Sequence, residues 1–200
     1  MPHLDRHRSV VRETARPASR LARALALLAL GGALVLPRAV SAQQSGASAA
    51  APAATPPTTV ILVRHAERAG DPSGDPGLTA AGEVRAKALV PVLRDAGVDA
   101  IITTQYQRTR LTAQPTAELL GITPDIVPAS GRDHPAAVAR YIREKHAGHT
   151  VLVVGHSNTI DAIAAALGAP NPGPIDDATY DDLFIVTVGA GTPTIVKAKY

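Results

Sequence analysis

The sequence predicts an α/β fold, a three-layer α/β/α sandwich around a mainly parallel sheet. Val60–Val63 and Val151–Val154 are short, unbroken apolar runs of the kind that form strands buried on both faces. Segments with helical signals, each roughly ten to fifteen residues long, separate such runs and imply βαβ units. Both runs end on polar residues, Arg64-His65 and Gly155-His156. In sheets of this kind ligands bind beyond the carboxyl ends of the strands.

The elements follow in order. Val60–Val63 is the first strand, and a Gly-, Pro- and Asp-rich loop from Gly70 to Gly77 follows it. Thr79 is placed to N-cap a helix carrying Val84, Ala88, Leu89, Val92 and Leu93 on its buried side. Pro91 falls inside that pattern and is expected to kink or shorten the helix. Val98–Thr103 is the second strand, and Arg108–Leu120 a second helix closed by Gly121. Ile122–Val127 is a weaker third strand. His134–His146 is a helix with Val138, Tyr141 and Ile142 as its apolar face, and Asn158–Leu167 is another, rich in Ala and Ile. Leu183–Val188 and Thr194–Lys199 are the last strand candidates.

The domain organisation is expected to be a signal peptide over 1–42, an Ala/Pro-rich tether over 43–58 and one folded domain over 59–200. Residues 1–42 carry seven Arg against Asp5 and Glu13, a net of +5, which leaves −2 on residues 43–200 although the whole chain is +3. The basic balance therefore belongs to the leader, and a nucleic-acid partner is not expected, because such binding needs Lys and Arg clustered on the folded domain. Arg6 to Arg23 precede an apolar run, Ala24 to Leu36, and Val40-Ser41-Ala42 supplies small residues before a cleavage point after Ala42. As a helix that run spans only ~20 Å, against ~30 Å for a hydrocarbon core. No stable membrane span is expected once the leader is removed. A Sec-type route to a secreted or periplasmic location follows, since no twin-Arg pair is present. The chain has no Cys, which excludes disulfides, thiolate metal sites and a cysteine nucleophile.

Arg64 and His65, Arg108 at the start of the second helix, and His156 are expected to converge on one edge of the sheet. Two guanidiniums and two imidazoles, with helix N-termini beside them, suit a small dianion such as phosphate. Four segments in this order resemble the histidine phosphatase superfamily, the clan of phosphoglycerate mutases, acid phosphatases and phytases. They are Val63-Arg64-His65-Ala66-Glu67, then Leu78-Thr79 with Gly82, then Thr104 to Thr109 with Thr112-Ala113, and Gly155-His156-Ser157-Asn158. The resemblance covers essentially 60–200 and implies a phosphoglycerate mutase-like sandwich. It implies that His65 is the nucleophile of a phosphohistidine mechanism. Arg64, Arg108 and His156 would clamp the phosphoryl oxygens, Thr104 would donate a hydroxyl, and neither cofactor nor metal would be needed. Ala66 replaces the Gly common after the nucleophile.

The general acid is the gap in this pattern. Phytase-like relatives carry Asp directly after the second His, where this chain has Ser157. Mutase-like relatives place a carboxylate between the second helix and the last buried strand, which makes Asp133 the first choice. Glu67 and Asp161 are the rivals. Arg110 is expected on the surface, and Glu67 is expected either to pair with Arg68 or to act. His146 and His149 are read as a helix end, not as metal ligands. The acidic cluster of Asp176, Asp177, Asp181 and Asp182 around Tyr180 is read as a polar loop before a strand. The expected function is an exported phosphatase of small phosphomonoesters. A phosphoglycerate-mutase-like phosphotransferase and a weakly catalytic module that binds a phosphorylated ligand are the alternatives. A phosphohistidine-protein phosphatase is a third, which suits the short chain but not an extracytoplasmic address. Only 47 residues separate Arg108 from His156, which leaves no room for a phytase-like cap and predicts an open pocket. The natural substrate and the oligomeric state are not legible in the sequence.

Overall fold

The computed structural model describes residues 55–70, 72 and 74–200, all within a unit spanning Ala49–Tyr200. The expected leader and most of the tether lie outside the described residues. The elements are β1 (Thr58–Arg64), α1 (Ala80–Leu93), β2 (Ala100–Thr103), α2 (Gln107–Leu120), β3 (Asp125–Ile126), α3 (His134–Lys145), β4 (Thr150–Gly155), α4 (Ile160–Ala166), β5 (Asp182–Val188) and β6 (Thr194–Lys199). One sheet runs β3-β2-β4-β1-β5-β6. Its first four strands are parallel, while β5 and β6 join antiparallel. No helix among the described residues is long and apolar enough to cross a membrane.

The alternation of side chains along a strand builds the two outer layers. Val60, Leu62, Ile102, Val151 and Val153 face one side and pack against Val138 and Ile142 of α3 and Ile160 and Ile163 of α4. Ile61, Val63, Ile101, Leu152 and Val154 face the other, against Leu89 and Leu93 of α1 and Ala113 and Ala117 of α2. The central strands are therefore apolar without interruption, because each successive residue enters a different core.

Helix α1 corrects the expected face. Gly82, Ala86, Leu89 and Leu93 are its buried residues, whereas Val84 and Val92 are exposed, and so is Ala88. Small residues face inward here because the helix lies close to its neighbours. A methyl on Gly82 would run into the Glu67 carbonyl. Pro91 does not end the helix, which continues to Leu93. Pro91 and Lys87 are both exposed, so the Lys87 carbonyl that loses its donor turns to water. Thr79 caps the helix as expected, accepting from Gly82 N at 3.1 Å. Gly121 closes α2 with φ of 67°. The third strand shrinks to two residues at the sheet edge.

Candidate active site

Strands β1 and β4 are parallel neighbours with Arg64 opposite Gly155, so the next residue of each, His65 and His156, emerges side by side. Their rings meet edge to face at 5.3 Å between centroids. His65 N donates to Gly155 O at 2.9 Å, which locks the two strand ends together. Gly155 leaves room there, since a Cβ would lie 2.9 Å from Ile160 Cδ1 and 3.1 Å from Thr159 Oγ1 and force those side chains to shift. The turn after it is closed by Thr159, whose hydroxyl accepts from His156 N at 3.0 Å.

His65 is buried, and its Nδ1 lies 2.8 Å from the Ala66 carbonyl. A carbonyl can only accept, so Nδ1 carries the hydrogen and Nε2 keeps its lone pair. Burial, with smaller contributions from Arg108, Arg64 and Arg68, lowers the His65 pKa to about 4, although the Ala66 hydrogen bond opposes the shift. The imidazole is therefore neutral at pH 7. Ala66 N donates to Thr112 Oγ1 at 2.9 Å, and that hydroxyl donates to Arg108 O at 2.7 Å. The loop after β1 is thereby tied to the first turn of α2. His156 is lowered to about 3, by burial first and then by His65 and Arg108.

Arg64 and Arg108 reach the same cavity, of about 870 Å³, which His65, His156, Arg68, Arg132, Tyr106 and Tyr180 also line. Arg108 stacks its guanidinium 4.2 Å from the centre of the Tyr106 ring. Arg64 lies 4.1 Å from that of Tyr180. Much of Arg64 is committed to the loop before β5. Its Nη1 donates to the carbonyls of Asp176, Asp177 and Thr179 at 3.1, 2.9 and 3.1 Å, and Nη2 to Asp177 Oδ1 at 3.4 Å. The four residues expected to meet around a pocket do so.

The expected acids do not. Asp133 precedes α3, is exposed, and does not line the cavity, although its neighbours Arg132 and His134 do. Glu67 is held by Arg85, with Nε at 2.8 and 3.0 Å from its two oxygens, rather than by Arg68. That pair holds the Glu67 carboxyl below its ordinary value despite burial, which acts the other way. Asp161 sits in the first turn of α4 outside the cavity wall. Thr104 does not line the cavity. It is buried behind the cavity wall, bonding to Thr109 Oγ1 at 3.0 Å and His156 Nε2 at 3.2 Å, so its hydroxyl supports the imidazole.

His134 and Asp177 are among the wall residues that the sequence reading did not single out. His134 is buried with Nδ1 3.0 Å from Pro128 O, and burial lowers its pKa. Asp177 belongs to a cluster that looked like an ordinary polar loop, and its carboxylate accepts from Ser157 Oγ at 2.9 Å. Neither carried a local signal, because Asp177 lies in a loop without periodicity and His134 at the first position of α3, where the turn before it sets its direction. His146 and His149 instead face Asp125 and Asp99 at 3.3 and 3.4 Å. No group of metal-binding side chains occurs among the described residues. A second cavity of about 600 Å³, along α2 and β3, includes Leu111, Ala117 and Ile126 in its wall and none of the four expected site residues.

Residues 60–129 match the family model of the histidine phosphatase superfamily, branch 1. The match runs from β1 to β3, taking in the first two helices and the strand between them. Solved structures of the same fold include the protein histidine phosphatase SixA in complex with tungstate, 18% identical, covering 70% of this chain and 96% of that one at a TM-score of 0.56. A mycobacterial glucosyl-3-phosphoglycerate phosphatase is 16% identical and covers 72% of this histidine phosphatase-fold chain and 98% of its own, with a TM-score of 0.55. A mycobacterial protein titled hydrolase 2 is 16% identical, covers 72% and 90%, and scores 0.54. No curated protein matches the sequence.

Proposed function

We propose that the chain is a metal-independent phosphatase that hydrolyses small phosphomonoesters through a phosphohistidine on His65, outside the cytoplasm. The observation that carries this is the state of His65: neutral at pH 7, its Nδ1 hydrogen held by Ala66 O, and its Nε2 lone pair left for the cavity it lines. Attack by Nε2 on phosphorus makes the ring cationic, and the Nδ1–H···O bond strengthens as that charge develops. Arg108 and His156, with whatever donor capacity Arg64 keeps from its loop, would stabilise charge on the equatorial oxygens of the transferring group. Guanidiniums supply this stabilisation without a metal ion. The fold relative solved with tungstate holds a tetrahedral oxyanion of the same shape as phosphate, which supports the assignment. The extracytoplasmic location rests on the Arg-rich leader and the Val40-Ser41-Ala42 site.

The test is phosphate release from p-nitrophenyl phosphate by the purified protein, with trapping of an acid-labile, base-stable phosphoenzyme. Activity that resists chelator and disappears with His65→Ala supports the assignment. Activity that persists in His65→Ala, or that chelator abolishes, overturns it. Transfer of phosphoryl between glycerate positions faster than hydrolysis would make the chain a phosphotransferase instead.

A further inference from the structure

Hydrolysis through a phosphohistidine needs a group that hands a proton to the departing oxygen and removes one from the incoming water. The three carboxylates that the sequence offers for this role fail on position. Asp133 and Asp161 lie outside the cavity wall, and both oxygens of Glu67 are taken by Arg85. Among the described residues of the wall, Asp177 is the one carboxylate.

Its placement is built. The Asp177 backbone carbonyl accepts from Arg64 Nη1, as do those of Asp176 and Thr179, so the loop is pinned to the residue that precedes His65. The side chain is oriented separately, by the Ser157 hydroxyl at 2.9 Å and the edge of Arg64 Nη2 at 3.4 Å. Ser157 follows His156 directly, so the carboxylate is brought beside the second imidazole from a loop twenty residues away in sequence. Both contacts fall on Oδ1, and the side chain is 90% exposed. Asp177 thus lines an open cavity with Oδ2 free of the two contacts that hold Oδ1.

Resting on the phosphohistidine reading, we propose that Asp177 is the proton carrier of the reaction. In the first step His65 Nε2 bonds to phosphorus, the phosphorus–oxygen bond to the leaving group breaks, and the Asp177 carboxyl gives its proton to that oxygen. In the second, water oxygen bonds to phosphorus, the phosphorus–nitrogen bond breaks, and its electron pair returns to Nε2. The proton of that water passes to the Asp177 carboxylate. The proton that the carboxyl gives up in the first step is returned to it in the second, and the net change is ester plus water to alcohol plus phosphate. Ser157 is a positioning residue that aims Oδ2 by holding Oδ1.

The test compares Asp177→Asn with wild type on an alkyl phosphate and on p-nitrophenyl phosphate. Asparagine keeps the backbone contacts to Arg64 and an acceptor for Ser157, so the loop survives the change. With the alkyl phosphate, whose leaving oxygen needs a proton, the variant should lose about a hundredfold or more. With p-nitrophenyl phosphate, whose leaving group departs unprotonated, it should show a burst of nitrophenolate followed by slow turnover, as phosphohistidine accumulates. Ser157→Ala should show the same substrate dependence in milder form, and Asp133→Asn should match wild type on both. An equal loss on the two substrates with no burst would make Asp177 structural. Unchanged activity on both, or the substrate dependence appearing in Asp133→Asn, would equally overturn the proposal. Each of these outcomes leaves the His65→Ala result, and with it the phosphohistidine reading, to stand or fall by itself.

Discussion

The two ends of the parallel strands handle their imidazoles in opposite ways. At the carboxyl end His65 and His156 are buried beside Arg64 and Arg108, and their pKa values fall to about 4 and about 3. At the amino end His149 and His146 sit against the carboxylates of Asp99 and Asp125. There each imidazole faces a carboxylate, although His146 Nε2 makes no hydrogen bond, and backbone donors find side-chain acceptors. Thr150 N donates to Asp99 Oδ2 at 2.9 Å and Gly148 N to Thr58 Oγ1 at 2.8 Å. At the carboxyl end cations crowd cations, and the Nε atoms of Arg64 and Arg108 are buried without a partner among the described residues. One end is arranged for stability. The other holds unsatisfied positive charge and a bare imidazole nitrogen, an arrangement that costs stability and needs an anion to complete it.

The sharpest way to break this contrast is His65→Ala, which should abolish phosphate release while leaving the circular dichroism spectrum unchanged; retained turnover would erase the distinction between the ends. Next in size is Arg64→Lys. One ammonium cannot replace a planar fork that serves three carbonyls and a carboxylate, so kcat/KM should fall about a hundredfold. The loop at 176–180 should also become open to limited proteolysis, and a protected loop with normal kinetics would count against the clamp.

The acid side of the pH scale sharpens the comparison through stability. Between about pH 6.5 and pH 4 the unfolded chain protonates His65 while the folded chain does not. Stability therefore falls as pH falls through that window, by an amount on the order of 3 kcal/mol from this group alone. His65→Gln should flatten the dependence of Tm on pH there; an unaltered slope would show that His65 is not held neutral. The smallest effect belongs to the amino end. His149→Ala removes a half-exposed pair at 3.4 Å, so unfolding in urea should shift by less than about 1 kcal/mol with kcat unchanged.

Legibility in the sequence followed the same division between regular and irregular structure. Apolar runs at Val60–Val63 and Val151–Val154 announced β1 and β4, and residues at their ends are positioned by strand geometry alone. Hence Arg64, His65 and His156 were found together, with Arg108 following from the start of α2. The face of α1 was misread, because Gly82 and Ala86 are buried by the closeness of neighbouring backbone, and periodicity weights only large apolar side chains. Asp177 and His134 were missed for a related reason. The loop of Asp177 carries no repeat and His134 only opens α3, so their places depend on Arg64 gripping distant carbonyls and on the Pro128 carbonyl meeting His134.

By itself, then, the sequence determined the parallel α/β core, its strand ends and the cationic quartet those ends deliver, since short-range patterning specifies strands and strand ends specify side-chain direction. Only the tertiary structure decided which carboxylate faces the cavity. Proximity across more than a hundred residues comes from the folded chain closing on itself, and the hydrogen bonds that bring Asp177 to the end of β1 exist only after it has closed.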